Sequence, residues 1–210
     1  MARYEQGILG PFSGKVGTVV GSTWKGINTM RSKGKTTTKP ATIRQLAQRM
    51  RFSVATDWLS PIRSWIDVGY KAFHMKMTPM NKAVSFHMKN ALIIEDGNIR
   101  VDYKNAVLSR GELMPPCLPS AYMNESGTLI YNWQNNHPSA FSRGDDEAVM
   151  LVYNDLRDEF VWLRNAGERE SGMCAMQLPE SYTMASLHCW LSFVSTDGTL
   201  VSTSVYVMQG

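Results

Sequence analysis

Three cysteines in 210 residues, at positions 117, 174 and 189, are too few and too irregularly spaced for a disulfide framework or a CxxC metal knuckle. They read as reduced thiols in core or strand positions. Long hydrophobic runs are missing as well. Nothing approaches 18 consecutive apolar residues, which excludes a membrane-spanning helix. The opening MARYEQGILG has no charged stretch followed by an apolar one, so no secretion signal is expected. Acid is absent over one long stretch: from Lys25 to Arg51 there is no Asp or Glu.

That last absence belongs to a wider asymmetry. Residues 1–95 carry 15 Lys/Arg against 4 Asp/Glu, and residues 96–210 carry 7 against 14. The net charge of +4 conceals a basic half joined to an acidic half. Such a dipole suits an anionic partner or a second copy of the chain. The apolar content of 43%, with 6 Trp, 8 Tyr and 7 Phe, is enough for real cores and excludes global disorder.

The two halves also differ in texture. Glycine punctuates residues 7–31, and the alternation of Val16, Thr18 and Val20 with Gly17, Val19 and Gly21 predicts a β-hairpin over 14–21 and 24–31. One face of that strand is nearly bare, with Trp24 the aromatic expected to cover it. SKGKTTTKP follows as an exposed basic arm. Thr42 and Gln45 have capping-box spacing ahead of a helix whose stripe is Ile43, Leu46, Ala47, Met50, Val54, Ala55, Trp58 and Leu59. Ser60-Pro61 and Thr78-Pro79 each start a further helix. After residue 95 short strands alternate with turn clusters every 8–14 residues, as in an antiparallel sandwich. The expected fold is α+β. A basic hairpin, arm and three-helix module occupies 1–100, and an acidic seven-stranded sandwich of fibronectin type III or immunoglobulin-like type occupies 101–210, with Trp133 in its core. Its clearest hairpin is LHCWLSFVS-TDG-TLVSTSVYV.

No catalytic constellation emerges. GPFSGKVG lacks both the spacing and the hydroxyl of a phosphate loop, since Val16 stands where Ser or Thr belongs. His74, His87, His137 and His188 show no metal-ligand spacing, so neither a metal nor a cofactor is expected. His188 is expected to face solvent and His87 to be half-buried. Asp145, Asp146 and Glu147 read as a solvated turn, as do Asp155, Asp158 and Glu159. The one concentrated signal is the basic patch of Lys25, Arg31, Lys33, Lys35, Lys39, Arg44, Arg49 and Arg51, which could meet nucleic-acid phosphates or an acidic protein surface. Trp162 and Trp190 are the candidate exposed aromatics.

FSGKVGTVVGSTWKGINTMRSK, with TIRQLAQRMRF, WLSPIR, VGY, MNKAVSFHMKNAL and VDYKNAVLSRGEL, resembles an uncharacterised family found in Bacteroidota and their phages. The arm departs from the family's proline- and asparagine-rich pattern. The resemblance supplies no activity. It implies a virion or assembly component, hence a location in the virion or the bacterial cytoplasm. The leading expectation is therefore a non-enzymatic structural protein that docks onto other subunits and oligomerises. A nucleic-acid-binding accessory module is the alternative, and a carbohydrate-binding sandwich the second alternative.

Overall fold

The computed structural model describes residues 3–4, 10–36, 38–73, 77–95, 97–135, 139–180, 182 and 187–207. His74 and His137 lie outside these residues. The chain forms two compact units, Met1–Thr42 and Ile43–Gly210. The fold is mixed α+β, with one long helix and antiparallel strands in open sheets. The change of charge near residue 95 falls inside the second unit rather than between the two.

The first unit is a four-stranded sheet in sequential order: β1 (Arg3–Tyr4), β2 (Phe12–Val16), β3 (Val19–Trp24) and β4 (Ile27–Ser32). The expected single hairpin becomes a meander because the 14–21 run turns at Gly17, where φ is 58°. Lys25 and Gly26 have φ of 49° and 77°, the pair of positive values that a two-residue type I′ turn needs. The bare face is covered by Phe12, not by Trp24. A Cβ on Gly21 would fall 2.7 Å from the Phe12 ring and closer still to its carbonyl, whereas Trp24 is half exposed beside the Lys25 ammonium.

The second unit opens with α1 (Ile43–Leu59), α2 (Arg63–Gly69) and α3 (Pro79–Asn90). Thr78 caps α3 by accepting from the Asn81 N–H at 3.2 Å, and Pro79 takes the first helical position. Next comes a small hairpin of β5 (Leu92–Glu95) and β6 (Asn98–Val101). Its second strand runs across the boundary expected between residues 100 and 101. Seven strands follow: β7 (Cys117–Met123), β8 (Thr128–Gln134), β9 (Glu147–Asn154), β10 (Glu159–Leu163), β11 (Met173–Gln177), β12 (Leu187–Val194) and β13 (Val205–Val207). They form one sheet in the order β10-β9-β12-β13 and another in the order β11-β8-β7.

Two cores organise this unit. Between the sheets, Tyr131, Trp133, Met150, Val152, Cys189 and Phe193 are buried together. On the other face of the four-stranded sheet, Val149, Leu151, Tyr153 and Trp190 pack against Trp58, Leu59, Trp65, Ile66 and Val84 of the helices. Strand β9 is therefore buried on both faces, which explains why AVMLVY is apolar without alternation. The last hairpin is less regular than expected. Val194 bridges Val201, while Leu191 pairs with Val205, so the register shifts by one residue. Between these points the Ser202 and Ser204 hydroxyls bond the backbone at Phe193 and Leu108. Cys117, Cys174 and Cys189 are free thiols. No helix of the described residues is long and apolar enough to cross a membrane.

Candidate functional site

The pleat of the four-stranded sheet decides what gathers on its helix-facing side. Tyr153 on β9 lies opposite His188 on β12 and Phe160 on β10, and Trp190 lies opposite Tyr206 on β13. Cross-strand partners share a face, so these rings form a continuous aromatic surface. Trp58 of α1 covers part of it, with ring centroids 5.8 Å from Tyr153 and 6.1 Å from Trp190. The part left uncovered is a cleft of about 750 Å³. Tyr103, on the turn after β6, closes one wall by lying against His188 with centroids 3.9 Å apart and planes 30° from parallel.

Carboxylates ring the opening. Asp57, Glu95, Asp102, Asp155 and Asp158 line it, against Arg100 and Lys104. The Tyr153 hydroxyl donates to Asp158 Oδ1 at 2.7 Å. His188 Nδ1 and the Tyr206 hydroxyl are 3.0 Å apart, and His188 Nε2 lies 3.8 Å from Asp155 Oδ2. The second distance is too long for a hydrogen bond. Burial lowers the His188 pKa despite the opposing pull of Asp155, so the imidazole is neutral at pH 7. Burial likewise raises Tyr103, Tyr153 and Tyr206, which keeps their hydroxyls protonated and available as donors. None of the lining residues is Ser, Thr or Cys.

This site was not anticipated from sequence. Asp155 and Asp158 do lie on a turn, yet that turn rims the cleft, and His188 is half-buried in its wall rather than facing solvent. The signal was present in β12 and β13, where His188, Trp190 and Tyr206 occupy the face opposite the apolar one. A second face that carries Trp invites a covering layer.

The residues singled out from sequence are dispersed differently. Lys25, Arg31, Lys33, Lys35 and Lys39 belong to the first unit, all exposed. Lys15 and Arg31 flank Val20 on one face of the sheet. Arg44, Arg49 and Arg51 belong to α1 in the second unit, where Arg51 donates to the Met88 carbonyl at 3.2 Å. Among the described residues Arg31, Lys33, Lys35, Arg44 and Arg49 form no ion pair. Trp190 is not an exposed platform: it is fully buried, and its Nε1–H donates to the Ala106 carbonyl at 3.0 Å. Trp162 is 36% exposed and tilts against Trp65 with centroids 6.0 Å apart. Asp146 is also buried, against the expectation of a solvated turn. Its Oδ2 accepts from Arg169 Nε at 3.0 Å. The described residues contain no group of three or more His, Cys, Asp or Glu placed to hold a metal ion.

Neither the curated proteins nor the solved structures contain a match to the chain. A family model does match, over residues 11–208, which takes in β2–β4 of the glycine-rich sheet, the helices and the strands from β5 to β13. The chain therefore belongs to DUF6266, a family of unknown function.

Proposed function

We propose that the chain is a non-enzymatic structural protein that acts by docking to other subunits and oligomerising, as a component of a phage or prophage virion of Bacteroidota. The observation that carries this reading is the state of the first unit. Gly21 is the only buried residue described between 10 and 42. Trp24, Ile27 and Met30 are 50%, 61% and 70% exposed. A four-stranded sheet without a buried face is marginal in water, and apolar side chains left outside gain most from a partner's surface. Strand β4 is also an edge, open to pairing by an added strand.

The second unit is read as a fibronectin type III-like sandwich with a layer of helices on one sheet. Its strand order supports this, since the first, second and fifth of the seven strands form one sheet and the remaining four the other. Its place is the virion or, before assembly, the bacterial cytoplasm. Light scattering and sedimentation across protein concentration and salt, with affinity capture from infected cells, test the proposal. Concentration-dependent assembly or a captured structural subunit is expected. A strict monomer that captures no partner overturns it.

A second reading is nucleic-acid binding. It is favoured by the acid-free basic run and by Lys15 and Arg31 on one sheet face. Fluorescence anisotropy with duplex and single-stranded probes should then show affinity falling steeply with salt. Binding that survives replacement of Arg31, Lys33, Lys35 and Arg44 by Glu removes this reading.

A further inference from the structure

We infer that the cleft between α1, the β5–β6 hairpin and the β9–β12–β13 face is a binding site for an organic monocation of the guanidinium or alkylammonium type. Three features of the cleft select that chemistry. The first is charge: five carboxylates against two cationic side chains line it, and pairing Arg100 with Glu95 at 3.9 Å still leaves four carboxylates against Lys104. The second is the aromatic wall. Tyr103 and Tyr206, both partly exposed, bring electron-rich rings to the space that buried Tyr153 also lines, and a cation over such a face is attracted by the ring quadrupole. The third is the protonation of the wall. His188 is neutral, so it adds no repelling charge, and the Tyr153 hydroxyl orients the Asp158 carboxylate by donating to it.

Competing ligand classes fit less well. An anion would face the excess of carboxylates. A sugar would find acceptors but a wall dominated by tilted rings rather than one open stacking plane. A volume of about 750 Å³ is in the range of small-molecule sites and takes an amine or guanidine head with its alkyl stem. The shared chemistry can arrive in two ways: as a free amine or guanidine metabolite, or as a Lys or Arg side chain presented by another polypeptide.

The test is calorimetric titration of the full-length protein at 50 mM salt with n-butylguanidinium, n-butylammonium and tetramethylammonium. n-Butylurea serves as the neutral isostere of the first and butyrate as an anion control. Saturable binding of the cations, at least tenfold tighter than n-butylurea, is expected. Asp155→Asn combined with Asp158→Asn should weaken it by roughly tenfold, with thermal unfolding unchanged to within a few degrees. Asparagine retains the size at both positions and tolerates the positive φ of 54° at 158. Tyr103→Leu should weaken it separately. A short Arg- and Lys-containing peptide distinguishes the sources: much tighter binding than the free cations assigns a polypeptide ligand, and equal affinity assigns a small molecule. No binding by any cation, equal binding of n-butylurea, or unchanged affinity in the folded Asp155/Asp158 variant overturns the inference.

Discussion

Arg169 and Asp146 are both withdrawn from water, with side-chain exposures of 0% and 1%. Charges in that position persist only through their partners. The guanidinium donates from Nε to Asp146 and from Nη2 to the Met114 carbonyl, and it lies 3.8 Å from the Phe193 ring centroid. The Arg169 carbonyl in turn accepts from Trp133 Nε1 at 2.9 Å. Replacing Arg169 by Met leaves a buried carboxylate without its counter-ion. Urea unfolding should show a loss of about 3–5 kcal/mol, partly recovered when Asp146→Asn is added. His87 presents the opposite case, a buried base held neutral. Its Nδ1–H donates to the Ala83 carbonyl at 2.8 Å, and burial lowers its pKa to about 4. The unfolded chain takes up this proton near the ordinary 6.5, so between pH 6.5 and 4 it binds more protons than the folded chain. Stability from this group is complete above pH 6.5 and falls as pH drops to 4, by about 3 kcal/mol in all. His87→Phe should flatten that part of the acid dependence in urea titrations at pH 7 and pH 4, while His188 keeps a smaller slope of the same sign. The sequence points to half-burial of His87, which is in fact fully buried, but not to the Arg169–Asp146 pair, because RGDDE reads as a loop until a cation 23 residues later folds back onto it.

At the level of elements, local signals were legible where local chemistry decides the outcome. Thr78-Pro79 starts α3, and the apolar alternation of Leu187, Cys189, Leu191 and Phe193 faces the inter-sheet core. Signals failed where tertiary context overrides them. The stripe of α1 runs its full length in sequence, yet Ile43, Leu46 and Met50 are 86%, 48% and 53% exposed, and only Ala55, Trp58 and Leu59 are buried. The Asp-Gly dipeptide in LIIEDGNIRV is a hairpin signal in sequence, and Glu95 pairs with Asn98, but the change in charge at the same place obscured it. Gly69 shows why α2 stops where it does. A Cβ there would stand 2.8 Å from the Leu108 carbonyl oxygen and 2.9 Å from Ser109 Cβ, so the helix end and the 106–110 segment approach only through glycine. Tyr70 secures the same approach by donating to the Val107 carbonyl at 2.7 Å. Gly69→Ala should lower stability by about 1–3 kcal/mol in thermal unfolding. An alanine protein as stable as the native one would show that the segment yields without strain.

For the whole molecule, the division of charge and the division of packing do not coincide. Sequence texture placed a boundary near residue 100, whereas both hydrophobic cores draw only on residues 55–207, and the helices share one of them with β9 and β12. Trp58 and Trp65 are the reason: large rings on α1 and α2 need a broad apolar surface, and the outer face of the four-stranded sheet supplies it. None of the described residues of the unit ending at Thr42 is a member of either core. Its strands are held by backbone pairing and by exposed side-chain bonds such as Ser22 to Thr29 and Thr23 to Asn28, and exposed bonds of this kind add little net stability. The two pieces should consequently behave differently when separated. A chain of residues 43–210 should keep its near-ultraviolet dichroism and melt cooperatively within about 3 °C of the full-length protein. A peptide of residues 1–42 should lack stable strand signal in far-ultraviolet dichroism until a partner covers its apolar side chains. A large fall in melting temperature for 43–210, or an autonomously folded peptide, would show that the glycine-rich sheet has a stabilising role that its burial does not reveal. If both results hold, docking rather than self-sufficiency is what keeps Trp24, Ile27 and Met30 on the surface.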